Sequence, residues 1–437
     1  MLFKVKNLGV IAEAEVDLSK DLILLTGQNN TGKTYLAYLA YFLMTKITGI
    51  NYVGNNLKKL IEELPTINMD SFLLPNKEYY IFDYSYLNIF YSSAKISKDI
   101  KVSISFSETD LNIAKAKEDA ITIGKEIYLY KTENSSSIEY KGGEIKKDKD
   151  SITAAGDFFK SNLNTFCEDL FFRHNNCFLF TSERSAINIF SKELTLLGNK
   201  ILRSKDKTLI NLAMERLNHY PQPIKDSLEI AENLKDFTKE ESEFAYLADE
   251  LEQSILKGAV VVGEFDDLQY KPEGTKTNLE IHLTSSLVKS LSPIAFYLRH
   301  LAQANDCIII DEPELNLHPD NQVLVARFLG RLVNEGFKVI VSTHSDYIIK
   351  EINNLVMLSK TNEASAELLT KYGYSSKQTI RPEQIEALLF RLPQNKAGVV
   401  PEKIQVTATG LSINTIDEVI DQLENRAEDI YYQLFEN

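Results

Sequence analysis

Eight residues, Gly27-Gln28-Asn29-Asn30-Thr31-Gly32-Lys33-Thr34, carry the most specific chemistry in the chain. They fit the spacing G-x-x-x-x-G-K-[ST] at every fixed position. The glycines let the backbone curl until its N–H groups point inward at phosphate oxygens. Lys33 has the charge and reach to hold the β- and γ-phosphates of a nucleoside triphosphate, and the Thr34 hydroxyl suits Mg²⁺. A second pair, Asp311-Glu312, ends the apolar run Cys307 to Ile310. Adjacent side chains on a strand point to opposite faces. The two acids can therefore divide the work, Asp311 in the Mg²⁺ shell through water and Glu312 as general base on an attacking water. A third apolar run, from Lys338 to Val341, delivers Ser342-Thr343-His344-Ser345. It lies one strand–helix–strand unit beyond the acids, so a neighbouring strand edge can bring His344 to a γ-phosphate as a donor.

These groups are useful only if strands and helices bring them together. Leu22 to Leu25, directly before the glycine loop, is a short apolar run of the kind found in strands buried on both faces. Thr34 to Thr45 reads as an apolar helix, whose positive N-terminal end would add to the phosphate cradle. Phe3 to Leu8 and Ala14 to Leu18 read as further strands. Between 51 and 143, alternation at Val102, Ile104 and Phe106 predicts a half-exposed antiparallel sheet. In the same stretch Glu126 to Tyr130 and Ser137 to Tyr140 flank a polar turn at Asn134 to Ser136. Residues 191–257 are charged and helix-forming, broken at Pro221-Gln222-Pro223, and predict a helical insertion standing off the core. Strands return from Gly258 to Leu283, followed by helix, strand, helix, strand, helix over 290–355. The tail ends in an acidic amphipathic helix, Ile416 to Phe435. The expectation is an α/β protein: a mixed sheet with flanking helices, an antiparallel β lobe and a helical insertion. Its divisions are 1–190, 191–257, 258–360 and a partner-binding α/β extension at 361–437.

Bulk properties narrow the function. The chain has 437 residues, 44% hydrophobic and 25% charged, with a formal net charge of −14. Proteins that coat nucleic acid neutralise phosphates and are usually basic, so any DNA contact here must be a local patch or belong to a partner. Three scattered cysteines, Cys167, Cys177 and Cys307, lack C-x-x-C spacing and argue against a disulfide framework or a structural zinc. The first residues carry Lys4, Lys6, Glu13, Glu15 and Asp17 where a signal peptide would be apolar. No apolar run has the length of a membrane span, which makes the cytoplasm the expected location.

With these residues in view, the motifs GQNNTGKT, CIIIDEPELNLHP and VIVSTHSD resemble the ABC-type ATPases related to SMC and RecF proteins. More narrowly, they resemble stand-alone prokaryotic ATPases of the overcoming-lysogenization-defect type and the ATPases of anti-phage systems such as PARIS and Septu. Asp311 to Pro319 and Thr343 onward carry that narrower likeness, and Thr181 to Ser185 is similar to a segment after a mid-domain strand in some members. The resemblance implies an ABC-type P-loop NTPase head, partner-regulated ATP hydrolysis with Mg²⁺, and a head-to-tail sandwich. In that sandwich each ATP is capped by the signature segment of a second copy. The matching segment is Leu283 to Leu291, where Ser286 or alternatively Ser285 would donate to the γ-phosphate from a helix N-terminus. Leu287 stands where the family usually has glycine, which implies a looser sandwich and slow turnover. Asn316, Leu317 and His318 occupy the segment linking the two sites, with His318 equally suited to packing. Arg184, beside Glu183, is either a γ-phosphate reader or a member of a surface ion pair.

Two functions follow from the resemblance. The first is the ATPase sensor subunit of a prokaryotic defence complex, holding a separate effector such as a nuclease and answering a phage protein trigger; it fits the net acidity. The second is a DNA clamp or repair ATPase, which requires a basic stripe drawn from Lys95, Lys98, Lys101, Lys125, Lys131, Lys141, Lys146 and Lys147. A membrane-transporter subunit fits poorly with the β lobe.

Overall fold

The computed structural model describes residues 2–45, 78–81, 101–105, 127–132, 135–140, 143–145, 176–192, 220–393, 398–411 and 417–435. A six-stranded sheet forms its centre. Its order is Glu402–Ile404, Ile385–Phe390, Leu22–Gly27, Lys338–Thr343, Cys307–Asp311 and Cys177–Phe180. Neighbouring strands are parallel except at the Glu402–Ile404 edge. This is the α/β class with a mixed sheet that the sequence predicts.

The apolar runs explain the layering. Leu22 and Leu24 enter one core while Ile23 and Leu25 enter the other, and Ile308, Ile310 and Ile309 divide the same way. Each fully buried leucine or isoleucine contributes roughly 1.5–3 kcal/mol, so the two-sided burial of these strands fixes their register firmly. One face is covered by the helix Lys33–Thr45, in which ten of thirteen residues are buried. It shares that layer with Phe3, Val5 and Val16 of the antiparallel strands Leu2–Leu8 and Ile11–Asp17. The other face is covered by the helices Ser286–His300, Pro319–Asn334 and Asp346–Met357. Ser345 caps the last of these by accepting the Ile348 N–H at 3.2 Å.

The β lobe is antiparallel, as expected. Strands 11–17, 2–8, 101–105 and 78–81 form one sheet, and Ile127–Thr132 pairs with Ser135–Tyr140 in another. Of the lysines required by a basic stripe, Lys101 and Lys131 lie on these strands, while Lys95, Lys98, Lys125, Lys141, Lys146 and Lys147 lie outside the described residues.

Two expectations need correction. The described part of 191–257 is helical, but it does not stand off the core. Leu234, Phe244, Leu247, Leu251 and Ile255 are buried within the main hydrophobic cluster. An apolar stripe on a charged helix needs such a partner. Nor is the α/β extension expected at 361–437 separate from the sheet of the preceding divisions. All six residues of Ile385–Phe390 are buried, and the strand pairs directly with Leu22–Gly27, the strand that leads into the glycine loop. The acidic helix is present as Asp417–Phe435, exposed where its side chains are described.

Candidate functional site

The central sheet ends its parallel strands Leu22–Gly27, Lys338–Thr343 and Cys307–Asp311 on one edge, with Lys338–Thr343 between the other two. Open α/β sheets bind ligands outside such carboxyl ends. Gly27 and Gly32 adopt φ of +123° and +99°, which side chains rarely tolerate. Close approach reinforces the requirement. A Cβ on Gly27 would lie 2.1 Å from the Phe390 carbonyl oxygen, and one on Gly32 2.7 Å from Ile11 Cγ1. The loop is braced by the tail strand: the Gln28 N–H donates to the Phe390 carbonyl at 3.0 Å, and the Leu392 N–H donates to Gln28 Oε1 at 2.8 Å. The buried Thr31 hydroxyl donates to the Gln28 carbonyl at 2.7 Å. Lys33 Nζ folds back onto the Gly27 and Gln28 carbonyls at 3.0 and 2.7 Å. Burial lowers its pKa, against the opposing charges of Glu312, Asp311 and Glu314.

Beside the loop lies a cavity of about 650 Å³ whose lining includes Asn29, Gly32, Lys33, Thr34, Glu183 and Glu312. Thr34 reaches across to the carboxylate strand, its Oγ1 donating toward Asp311 Oδ1 and Oδ2 at 3.3 and 3.2 Å. Asp311 also accepts a hydrogen bond from the Ser342 hydroxyl. Its carboxyl is pushed up to about 6, first by burial and then by the charge of Glu312, with the Ser342 and Thr34 hydroxyls opposing. Glu312 sits at φ +50°, a left-handed conformation that costs a non-glycine residue roughly 1–3 kcal/mol. Its N–H donates to the Ser342 carbonyl at 2.9 Å. That anchor turns the chain sharply at the strand end and puts Glu312 on the cavity wall while Asp311 stays beneath.

His344 is half-exposed at the end of the middle strand, with Nδ1 3.2 Å from Glu314 Oε1. Its ring is not part of the cavity lining, although the strand before it lies between the strand leading into the glycine loop and that of Asp311.

Arg184 differs from both roles expected of it. It is 3% exposed and its guanidinium is spent on internal acceptors. Nε donates to the Ser290 carbonyl and Oγ at 3.1 and 3.0 Å, Nη1 to the Thr181 and Asp311 carbonyls, and Nη2 to Ser290 Oγ and the Glu312 carbonyl. It is neither a surface ion pair nor free to read a phosphate. Burial pulls its pKa down to about 10, against the charges of Asp311, Glu314, Glu312 and Glu183. The result is a clamp between the carboxylate strand and the helix Ser286–His300.

At the start of that helix Ser285 is the N-cap, accepting the Val288 N–H at 3.3 Å. Ser286, the first helical residue, donates its hydroxyl to the Asn316 carbonyl at 2.8 Å. Both serines are exposed, and Leu287 packs against the main core. His318 caps the helix Pro319–Asn334, its Nδ1 accepting the Asp320 N–H at 3.4 Å. Sequence reading missed Ser342, Phe390 and Glu314 as site residues. Only the position of Ser342, two residues before the histidine on a buried strand, offered a signal.

A strand–glycine loop–helix cradle beside a carboxylate strand defines a P-loop nucleotide-binding protein. Hard oxygen donors from Thr34 and Asp311 in mutual contact suit Mg²⁺. The chain matches the family described as AAA ATPase domain over residues 1–349 and belongs to that family. No curated protein matches it. Among solved structures, the SmcHead bound to the C-winged helix domain of ScpA is similar at 13% identity and a TM-score of 0.36, covering 93% of this chain and 97% of that one. The Smc head domain with an extended coiled coil bound to the C-terminal domain of ScpA, derived from Pyrococcus furiosus, shares 12% identity at a TM-score of 0.32, covering 98% of each. The SMC head domain from Thermotoga maritima shares 9% at 0.32, covering 93% and 98%. At that distance these likenesses carry no functional argument.

Proposed function

We propose that the protein binds ATP with Mg²⁺ and hydrolyses it as an ABC-type ATPase whose site is completed by a second copy. One observation carries this reading: Lys33, Thr34 and Glu312 line one cavity, with Asp311 in contact with Thr34 beneath it. The backbone N–H groups of the glycine loop and the Lys33 ammonium would take up phosphate oxygens, Lys33 exchanging its two carbonyl partners for them. Thr34, with Asp311 through water, would hold Mg²⁺, which supplies charge neutralisation on the phosphates. Glu312 accepts a proton as a water oxygen bonds to the γ-phosphorus, and the bridging bond breaks with its electron pair leaving on ADP. His344 stabilises the γ-phosphate as a donor. Ser286, or Ser285, is exposed at a helix N-terminus and offers its hydroxyl to the ATP of the partner copy. The packed Leu287 side chain in place of glycine supports slow turnover.

Lys33→Ala tests the base of this reading. Fluorescent ATP should bind the wild-type chain and fail to bind the variant; equal binding would remove the phosphate role of the loop.

In the wider setting we read the switch as the sensor subunit of a prokaryotic defence complex, controlling a separate effector such as a nuclease in answer to a phage protein. The motif resemblance and the net charge of −14 support a protein partner over DNA coating. A duplex-binding titration tests this. Weak binding at about 50 mM salt is expected, whereas tight binding lost steeply with added salt would favour a DNA clamp.

A further inference from the structure

We infer that Glu314 is the positioning residue for His344, gripping both its backbone and its ring so that Nε2 is the nitrogen left for the nucleotide. The inference deepens the ATPase reading above and rests on it for the identity of the ligand.

Glu314 follows Asp311 by three residues, beyond the rigid Pro313, at the turn where the carboxylate strand leaves the sheet. It is 6% exposed, and glutamates are almost never fully buried without a partner. Its partner is His344. Oε1 accepts the His344 N–H at 2.7 Å and lies 3.2 Å from Nδ1 of the same residue. One oxygen therefore holds the end of the histidine strand through its backbone and orients the imidazole through its side chain. The other oxygen, Oε2, is buried without a hydrogen-bond partner. Burying a bare carboxylate oxygen is costly. A side chain present only to accept the His344 N–H would not need a carboxylate, since a neutral amide oxygen would accept it at less cost.

The chemistry of imidazole gives the grip its consequence. The nitrogen that carries the proton is set by the hydrogen bond at the other nitrogen. A carboxylate can only accept, so closing the 3.2 Å contact to Nδ1 into a hydrogen bond selects the form with hydrogen on Nδ1. Nε2 then points away from Glu314 and is the ring's remaining contact. The Glu314 charge reaches the nucleotide loop as well, for it acts on both Lys33 and Arg184. Glu314 therefore sits behind the histidine in the manner of the carboxylates that orient imidazoles in other catalytic sites. It does not itself touch the substrate.

The full chain carries six histidines, so long-range ¹⁵N–¹H spectra of the imidazoles are tractable, with His344→Gln assigning the signal. Spectra recorded near pH 9, well above the ordinary value of about 6.5 for histidine, should show His344 with hydrogen on Nδ1. Glu314→Met, which removes the accepting oxygens, should move that hydrogen to Nε2. Identical ring spectra in both proteins would overturn the inference. In steady-state ATPase assays Glu314→Met should lower kcat about tenfold or more with KM within about threefold, and should add nothing in the His344→Gln background. Multiplicative losses in the double variant would mean that Glu314 acts independently of the histidine, and the proposal would fail. If Glu314→Met does not fold, Glu314→Asp serves for the same comparisons, because its carboxylate is withdrawn by one methylene. A chain without any ATPase activity would sink the ATPase reading, while the ring spectra would still decide the role of Glu314.

Discussion

Removing the charge at Asp311 should stabilise the fold while disabling the site. The carboxyl is 1% exposed and pushed up to about 6 from an ordinary 3.8, chiefly by burial. The folded chain thus holds this proton more tightly than the unfolded chain does. Stability therefore falls as pH rises through the window from about 4 to about 6, and the cost is fully present above it. Over that interval the linkage amounts to about 3 kcal/mol. Asp311→Asn keeps an acceptor for the Ser342 and Thr34 hydroxyls but has no charge to desolvate. In nucleotide-free buffer with a chelator, urea unfolding at pH 8 should show the variant more stable by up to about 3 kcal/mol. The gap should shrink toward zero as the pH falls to about 4. A variant no more stable than wild type at pH 8, or a gap indifferent to pH, would refute the reasoning.

Arg184→Met should be severe although the residue touches no nucleotide. It strands the carbonyls of Thr181, Asp311, Glu312 and Ser290, and a loss of about 3 kcal/mol or more is expected in urea unfolding; an unchanged midpoint would show that the clamp is dispensable. Ser286→Ala should cost the isolated chain about 1 kcal/mol or less, because only the bond to the Asn316 carbonyl is lost. It should nevertheless weaken ATP-driven pairing measured by light scattering, and undiminished pairing would shift the signature role to Ser285.

The glycine loop and its two companion strands are legible because short apolar runs bounded by turn residues fit strands buried on both faces. Each of the three runs ends in residues that make no sense as packing. The tail strand was harder to read. Ile385–Phe390 carries Glu386 as its second residue, buried against Lys403 at 2.9 Å. A charge in a six-residue run hides a central strand, and its pairing with Leu22–Gly27 spans most of the chain. The stripe Leu234, Leu247, Leu251 and Ile255 was obscured in the same way by the charges on the outer faces of its helices. Arg184 and Glu314 show a different limit. An isolated arginine or glutamate next to a motif gives no sign of burial, which depends on what the fold stacks above it. Here that is the helix Ser286–His300 for Arg184 and the His344 strand end for Glu314.

The central claim is that ATP held at Lys33 draws two copies together and that Glu312 ends the paired state. Sedimentation velocity on Glu312→Gln with ATP and Mg²⁺ tests it most directly. The account predicts that a species of 49.7 kDa becomes one of twice that mass on adding ATP and returns on its removal. A variant that binds ATP yet sediments as a single chain throughout would contradict it.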